Sequence, residues 1–160
     1  MSLQHFDHTL LSRAIFQATN LARVANRKPP LAPLPALDNA ADMQANYMAL
    51  SLAAGHSSIF PNQHDVAERV ARAGLHAASV GENTIMEAAT RPPDAPKLDY
   101  TYREYASFLV DKWMHSPDHR SALLSPKFTE LGCAARLARG FRPGDLRIFA
   151  TQVFFLPDPG

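Results

Sequence analysis

Four prolines in seven residues, Pro29, Pro30, Pro33 and Pro35, set the strongest local limit on how this chain can fold. Each lacks an amide donor and each ring blocks the preceding helical turn, so no helix crosses residues 29–35. Before the break, Leu10, Leu11, Ala14, Ile15, Ala18, Leu21, Ala22 and Ala25 recur at helical spacing. They predict a helix over residues 7–27 with Asp7 as N-cap. After it, a second helix is expected from Asp38 as cap, through Met43, Tyr47, Met48 and Leu52, stopping at Gly55. A third, shorter one is expected between residues 64 and 73, closed by Gly74 just past its end.

The pattern then changes. Residues 80–86 read as a strand. Residues 87–99, which contain Arg91-Pro92-Pro93-Asp94-Ala95-Pro96, read as a structureless loop of a length usually reserved for a lid or an insertion. Tyr105, Phe108, Leu109, Lys112 and Trp113 mark a helix over residues 102–115. Ser116 as cap, Pro117 at the first helical position and Asp118 next signal a new helix. Residues 132–137 and 146–155 read as strands joined by a turn at 140–145. Helices fill the first three quarters and strands the end, with neither a linker nor a repeat. The expectation is one α+β domain over residues 1–160.

A chain of 160 residues buries roughly 70% of the surface its unfolded form exposes, enough for a core without metal or disulfide staples. A net charge of +1 with 19% charged residues argues against a nucleic-acid binder held by phosphate contacts. The apolar runs are short and broken, so no membrane-spanning segment is expected. Residues 1–7 show no basic segment followed by an apolar one, so no secretory signal is read. Cys133 is the single cysteine and can form no internal disulfide.

Most of the seven histidines have plain readings: His5, His8 and His64 lie near helix starts or loops, and His76 in a loop. His56 follows a helix-ending glycine, where a helix delivers a side chain to a surface or cleft. His115 and His119 are four apart, but Pro117 separates them. His115 falls in a last turn, which favours a protonated ring. His119 falls in a first turn, whose exposed N–H groups favour the neutral ring that a divalent metal or a general base requires. Gly81-Glu82-Asn83 sets a carboxylate beside a residue of wide backbone freedom. No Gly-x-Ser-x-Gly, phosphate loop, HExxH or Cys-His pairing is present, and Ser116 reads as a helix cap rather than a nucleophile.

In order along the chain, these fragments resemble the CAP superfamily: cysteine-rich secretory proteins, antigen 5 and pathogenesis-related 1 proteins, and especially the bacterial SCP-like extracellular proteins. The resemblance covers about residues 15–155. It rests on Asn20-Leu21-Ala22-Arg23 with Pro30-Leu31, Leu37-Asp38-Asn39-Ala40-Ala41-Asp42-Met43, Gly55-His56-Ser57, Glu68-Arg69 with Gly74, and Val80-Gly81-Glu82-Asn83. Its most specific stretch runs from Trp113 through His115-Ser116-Pro117-Asp118-His119-Arg120, then Leu124, Pro126 and Phe128-Thr129-Glu130-Leu131-Gly132-Cys133. Ala150-Thr151-Gln152-Val153-Phe154 closes it.

The resemblance implies a three-layer α-β-α sandwich with a small, mainly antiparallel sheet between helical layers and a cleft on one side. It implies that His56, Glu82 and His119 meet in that cleft. Ser116 stands where many eukaryotic members carry a second acid, which takes away one carboxylate of the family's cluster. Two imidazoles and Glu82 could still hold zinc or another divalent ion with an open position, or Glu82 could orient one imidazole from behind. No cofactor is required by this reading. Arg69 and Arg120 are expected in structural roles, pairing with Glu68, Asp118 or Glu130. Trp113, Phe128 and Phe154 are expected in the core.

Three functional readings follow from that resemblance. The first is a non-enzymatic binding domain, a monomer located in the periplasm, on the cell surface or in the medium. Its cleft would take a small ligand (lipid, sterol, peptide or glycan), and residues 87–99 would form part of the rim. The second is a metal-assisted hydrolase or peptidase in which Glu82 takes a proton from metal-bound water. The third is a partner-binding module marked by an apolar patch away from the cleft.

Overall fold

The computed structural model describes residues 1–95 and 99–160. Helix α1 (His8–Ala25) begins where the Asp7 side chain accepts the Leu10 N–H. It ends ahead of the prolines, as the sequence requires. Strand β1 (Ala32–Pro33) is two residues long because Pro33 brings no donor and the chain turns at once into α2 (Pro35–Ser51). That helix starts four residues earlier than expected. Pro35 takes the first helical position, suited to a residue without an N–H. Asp38 is therefore not its cap, and its carboxylate accepts the Cys133 N–H instead. The helix also stops before Gly55: Leu52 adopts a left-handed conformation, φ 55°, and its N–H closes on the Met48 carbonyl.

Helix α3 (Val66–Arg72) is capped by Asp65, and Gly74 follows it at φ +81°. Strand β2 (Ala77–Ala88) is longer at both ends than the apolar run suggested, since its register with the last strand runs from Ala77 to Ala88. Helix α4 (Tyr102–His115) opens on a capping box between Thr101 and Glu104, a signature the apolar pattern alone had not revealed. Helix α5 (Pro117–Leu123) follows at Ser116. Ser116 occupies the cap position without a side-chain cap bond, so Pro117 supplies the start. Strands β3 (Glu130–Arg139) and β4 (Leu146–Pro157) form the closing hairpin.

The sheet order is β1-β3-β4-β2, antiparallel except for the short parallel β1–β3 pair. One face carries Leu131, Cys133, Ala135, Ala150 and Phe154 against α1 and α4. Trp113, Phe128, Leu109 and Ile15 complete that core. The other carries Ala134, Val153 and Phe155 against α2 and α3, with Leu37, Ala41 and Val70. Two cores on opposite faces of one sheet make the expected α-β-α sandwich. Among the described residues, no helix is long and apolar enough to cross a membrane.

Candidate functional site

Strand β2 is an edge strand, and its consecutive residues Glu82 and Asn83 point to opposite faces of the sheet. Glu82 lies across from Val153, on the α2/α3 face, and Asn83 across from Gln152, on the α1/α4 face. Gly81 ahead of them lets the strand pass close to Phe128: a Cβ there would stand 2.9 Å from the ring.

Glu82 is almost wholly buried, its side chain 3% exposed, and both of its oxygens are engaged. One lies 2.9 Å from Nδ1 of His56. The other accepts from the Arg69 guanidinium at 2.6 Å. Arg69 is completely buried and also donates to the carbonyls of Gln63 and His56, at 2.9 and 3.2 Å. One arginine thus fixes both the carboxylate and the backbone of the loop that carries His56. Arg69 was not among the expected site residues, and its partner is not Glu68, Asp118 or Glu130. Glu68 bonds the side chain and backbone of His64 instead. The available signal was position: one turn after the Asp65 cap, the residue before buried Val70 belongs on the inner face of α3.

On the opposite face, the Asn83 amide donates to the His119 carbonyl at 3.0 Å and to Gln152 Oε1 at 3.1 Å. Gln152 donates to the Thr19 hydroxyl, which donates to the Ile15 carbonyl. A buried polar chain therefore runs from α5 through the sheet into α1. The Gly-Glu-Asn segment works as a two-sided clip, holding the His56 loop with one residue and the His119 helix with the next.

The two histidines sit in different electrostatic surroundings. The hydrogen bond to Glu82 raises the His56 pKa above its ordinary value; burial and the Arg69 charge oppose this, and the Glu82 charge adds to it. Burial lowers the His119 pKa, the charge of His56 lowers it further, and Asp118 acts against both. The His56 charge thus acts at the His119 ring. With Nδ1 of His56 turned to Glu82, its Nε2 faces away from the carboxylate, on a side chain 57% exposed.

The remaining candidates lie apart. His115 is 77% exposed and stays with Asp111, one turn back on α4. Arg120 donates to Asn26 rather than to any carboxylate. Residues 87 and 88 belong to β2. The described part of the following loop lies near the start of α4, where Arg91 covers the Tyr100 ring. Six residues, about 20 Å of strand, separate Glu82 from Ala88, so this part does not rim the His56 cleft. Residues 96–98 of that loop lie outside the described residues. Large exposed apolar side chains are spread over α1 (Leu10, Leu21, Val24), α2 (Leu50), the loop after His56 (Ile59) and the β3–β4 turn (Phe141).

Comparison with known proteins decides the kinship. The family model for CAP, the cysteine-rich secretory protein family, matches residues 16–154. The chain belongs to the CAP family. Its fold is similar to that of an extracellular protein containing a SCP domain from Bacillus anthracis, with TM-score 0.65 and 23% identity over 92% of this chain and 41% of that one. It is similar to a cysteine-rich secretory protein from Staphylococcus aureus, with TM-score 0.61 and 17% identity over 94% and 40%. It is also similar to an outer surface protein from Borrelia burgdorferi, with TM-score 0.65 and 14% identity over 96% and 97%. The chain thus spans about two fifths of the first two proteins and nearly all of the third. Among curated proteins, none matches significantly.

In this CAP domain, among the described residues, no three His, Cys, Asp or Glu side chains are disposed to hold one metal ion. Glu82 is hydrogen-bonded on both oxygens and paired with Arg69. It suits the orienting role, fixing the His56 tautomer from behind.

Proposed function

We propose that this CAP domain is a non-enzymatic, extracytoplasmic binding domain. Its cleft at His56 and His119 takes a small ligand, from the lipid, sterol, peptide or glycan classes, through a polar or anionic group. One observation carries the reading: the consecutive residues Glu82 and Asn83 hold the His56 side chain and the His119 backbone by hydrogen bonds. His56, its basicity raised by Glu82, would offer an N–H donor, and His119, its basicity lowered by burial, a ring acceptor. The location outside the cytoplasm is supported by the descriptions of the similar proteins as extracellular or outer surface proteins.

Hydrolysis draws less support from this geometry. A general base must reach the water it activates, and the Glu82 side chain is only 3% exposed, behind His56 and Arg69.

The test is isothermal titration of the wild type, His56→Ala and His119→Ala with palmitate, cholesteryl sulfate, trialanine, tetra-N-acetylchitotetraose and zinc chloride. Saturable binding of at least one organic probe, weakened tenfold or more in both variants, is expected. No binding of any organic probe, or equal binding by the variants, removes the proposal. Zinc uptake lost in both variants, without organic binding, replaces it with a metal site of two imidazoles.

A further inference from the structure

At the sheet's other edge, away from His56 and Glu82, β1 pairs only with Glu130 and Leu131. From Gly132 to Arg139, β3 has no strand beside it on that side. In a strand, alternate residues turn both backbone polar groups toward the same neighbour. The Cys133 N–H and the Ala135 carbonyl both face the open side, because they are met there by side chains: Asp38 accepts from Cys133 at 2.9 Å, and Nδ1 of His8 donates to Ala135 at 3.0 Å. The same alternation turns the Ala135 N–H and both backbone groups of Leu137 that way. A groove of about 640 Å³ lies over this edge, with α1 as one wall and α2 as the other. Arg13 stands on the α1 wall; Asp38 and Asp42 stand on the α2 wall, Asp42 paired with Arg136.

We propose that this groove binds an extended peptide, which adds to β3 as a fifth strand. Only a polypeptide backbone repeats donor and acceptor at the spacing of the β3 edge, so strand addition accounts for what Asp38 and His8 imitate at two points. Between Cys133 and Arg139 the edge has room for about six residues. Arg13 on one wall and the carboxylates on the other suit a guest that carries both charges.

The exchange is also chemically reasonable. Desolvation at the groove floor raises the Asp38 pKa, more than the Cys133 N–H and the Arg13 charge lower it. A neutral guest carbonyl in its place would free that carboxylate to rejoin water. This site is separate from the His56 cleft, and either proposal can fail without the other.

The experiment pans a random decapeptide display library on the whole protein. It then measures enriched peptides by fluorescence anisotropy, unmodified and with single backbone N-methylations along their length. The expected result is a tenfold or greater loss of affinity for methyl groups in one alternating register and little change in the other. Ala135→Pro and Leu137→Pro each delete an N–H that faces the groove rather than β4. Each is expected to weaken binding at least tenfold while the melting transition remains cooperative. The N-methylation series needs no variant, so it decides even if a proline variant misfolds. Failure to enrich any peptide, binding indifferent to methylation in both registers, or a concentration-dependent dimer that occupies this edge would each overturn the proposal.

Discussion

The clip at Glu82 makes a quantitative claim that Glu82→Ala tests. Among the described residues its carboxylate is the only acidic partner of Arg69, whose side chain is 0% exposed. Removing it leaves a buried guanidinium with carbonyl contacts alone. Breaking a buried pair by deleting one partner costs about 3–5 kcal/mol, mostly from the stranded charge. The surface hydrogen bond to His56 adds little, since that ring is more than half exposed. For a domain of this length, a loss of that size lowers the melting temperature by roughly 6–20 °C. Differential scanning calorimetry at pH 7 reads it directly. Arg69→Met/Glu82→Leu, which removes both charges and keeps apolar volume, should recover most of the loss. The reasoning is refuted if Glu82→Ala melts within 1 °C of wild type, or if the double variant is no more stable than the single.

Three further outcomes follow from the same contacts. The His56 pKa is raised in the fold, so its stabilising contribution is complete below its unfolded value near 6.5 and fades as pH rises through the folded value. The His119 pKa is lowered, so the stability it allows is present above 6.5 and is lost as pH falls toward its folded value. His119→Ala should therefore flatten the rise of stability with pH below 6.5, and His56→Ala should flatten the decline above it; urea unfolding at half-unit pH steps reads both. Gly132→Ala should destabilise by about 3 kcal/mol or more, measured by thermal melting. The new Cβ would sit 2.2 Å from the Leu37 backbone, which cannot yield without moving α2. Arg23, fully buried, donates to the carbonyls of Pro29, Leu123 and Ser125. Arg23→Ala should cost about 3 kcal/mol by chemical denaturation, because it strands those acceptors.

The helices were legible where local chemistry decides them. Asp7 before a periodic apolar run, and Ser116-Pro117 after one, fix their starts within a residue, because caps and prolines act on their own neighbours. The errors fall where a distant partner decides. Asp38 looks like a cap from its local surroundings, but it lies opposite the unpaired edge of β3 and goes to the Cys133 N–H instead. Strand β2 extends past its apolar core because β4 supplies hydrogen bonds as far as Ala88, whatever the side chains there. His56, Glu82 and His119 were singled out by the family pattern. Arg69 was expected in a structural pair, but its partner was not legible, because Glu82 arrives from a strand 13 residues later in the sequence.

That dependence describes the geometry at the motif: Glu82 gives both of its oxygens to hydrogen bonds within the fold. Its neighbour Asn83 is spent in the same way, on the His119 carbonyl and Gln152. The residues most specific to the motif thus pin the His56 ring and the His119 backbone. On the proposed reading such stiffening would serve recognition: groups already held lose little further freedom when a ligand binds, so more of the contact energy appears as affinity. The price is that the site cannot be altered at Glu82 without unsettling Arg69. Variation in what such a cleft binds is therefore expected to arise in the exposed loop after His56, where Ser57 and Ile59 face solvent, and not in the clip itself.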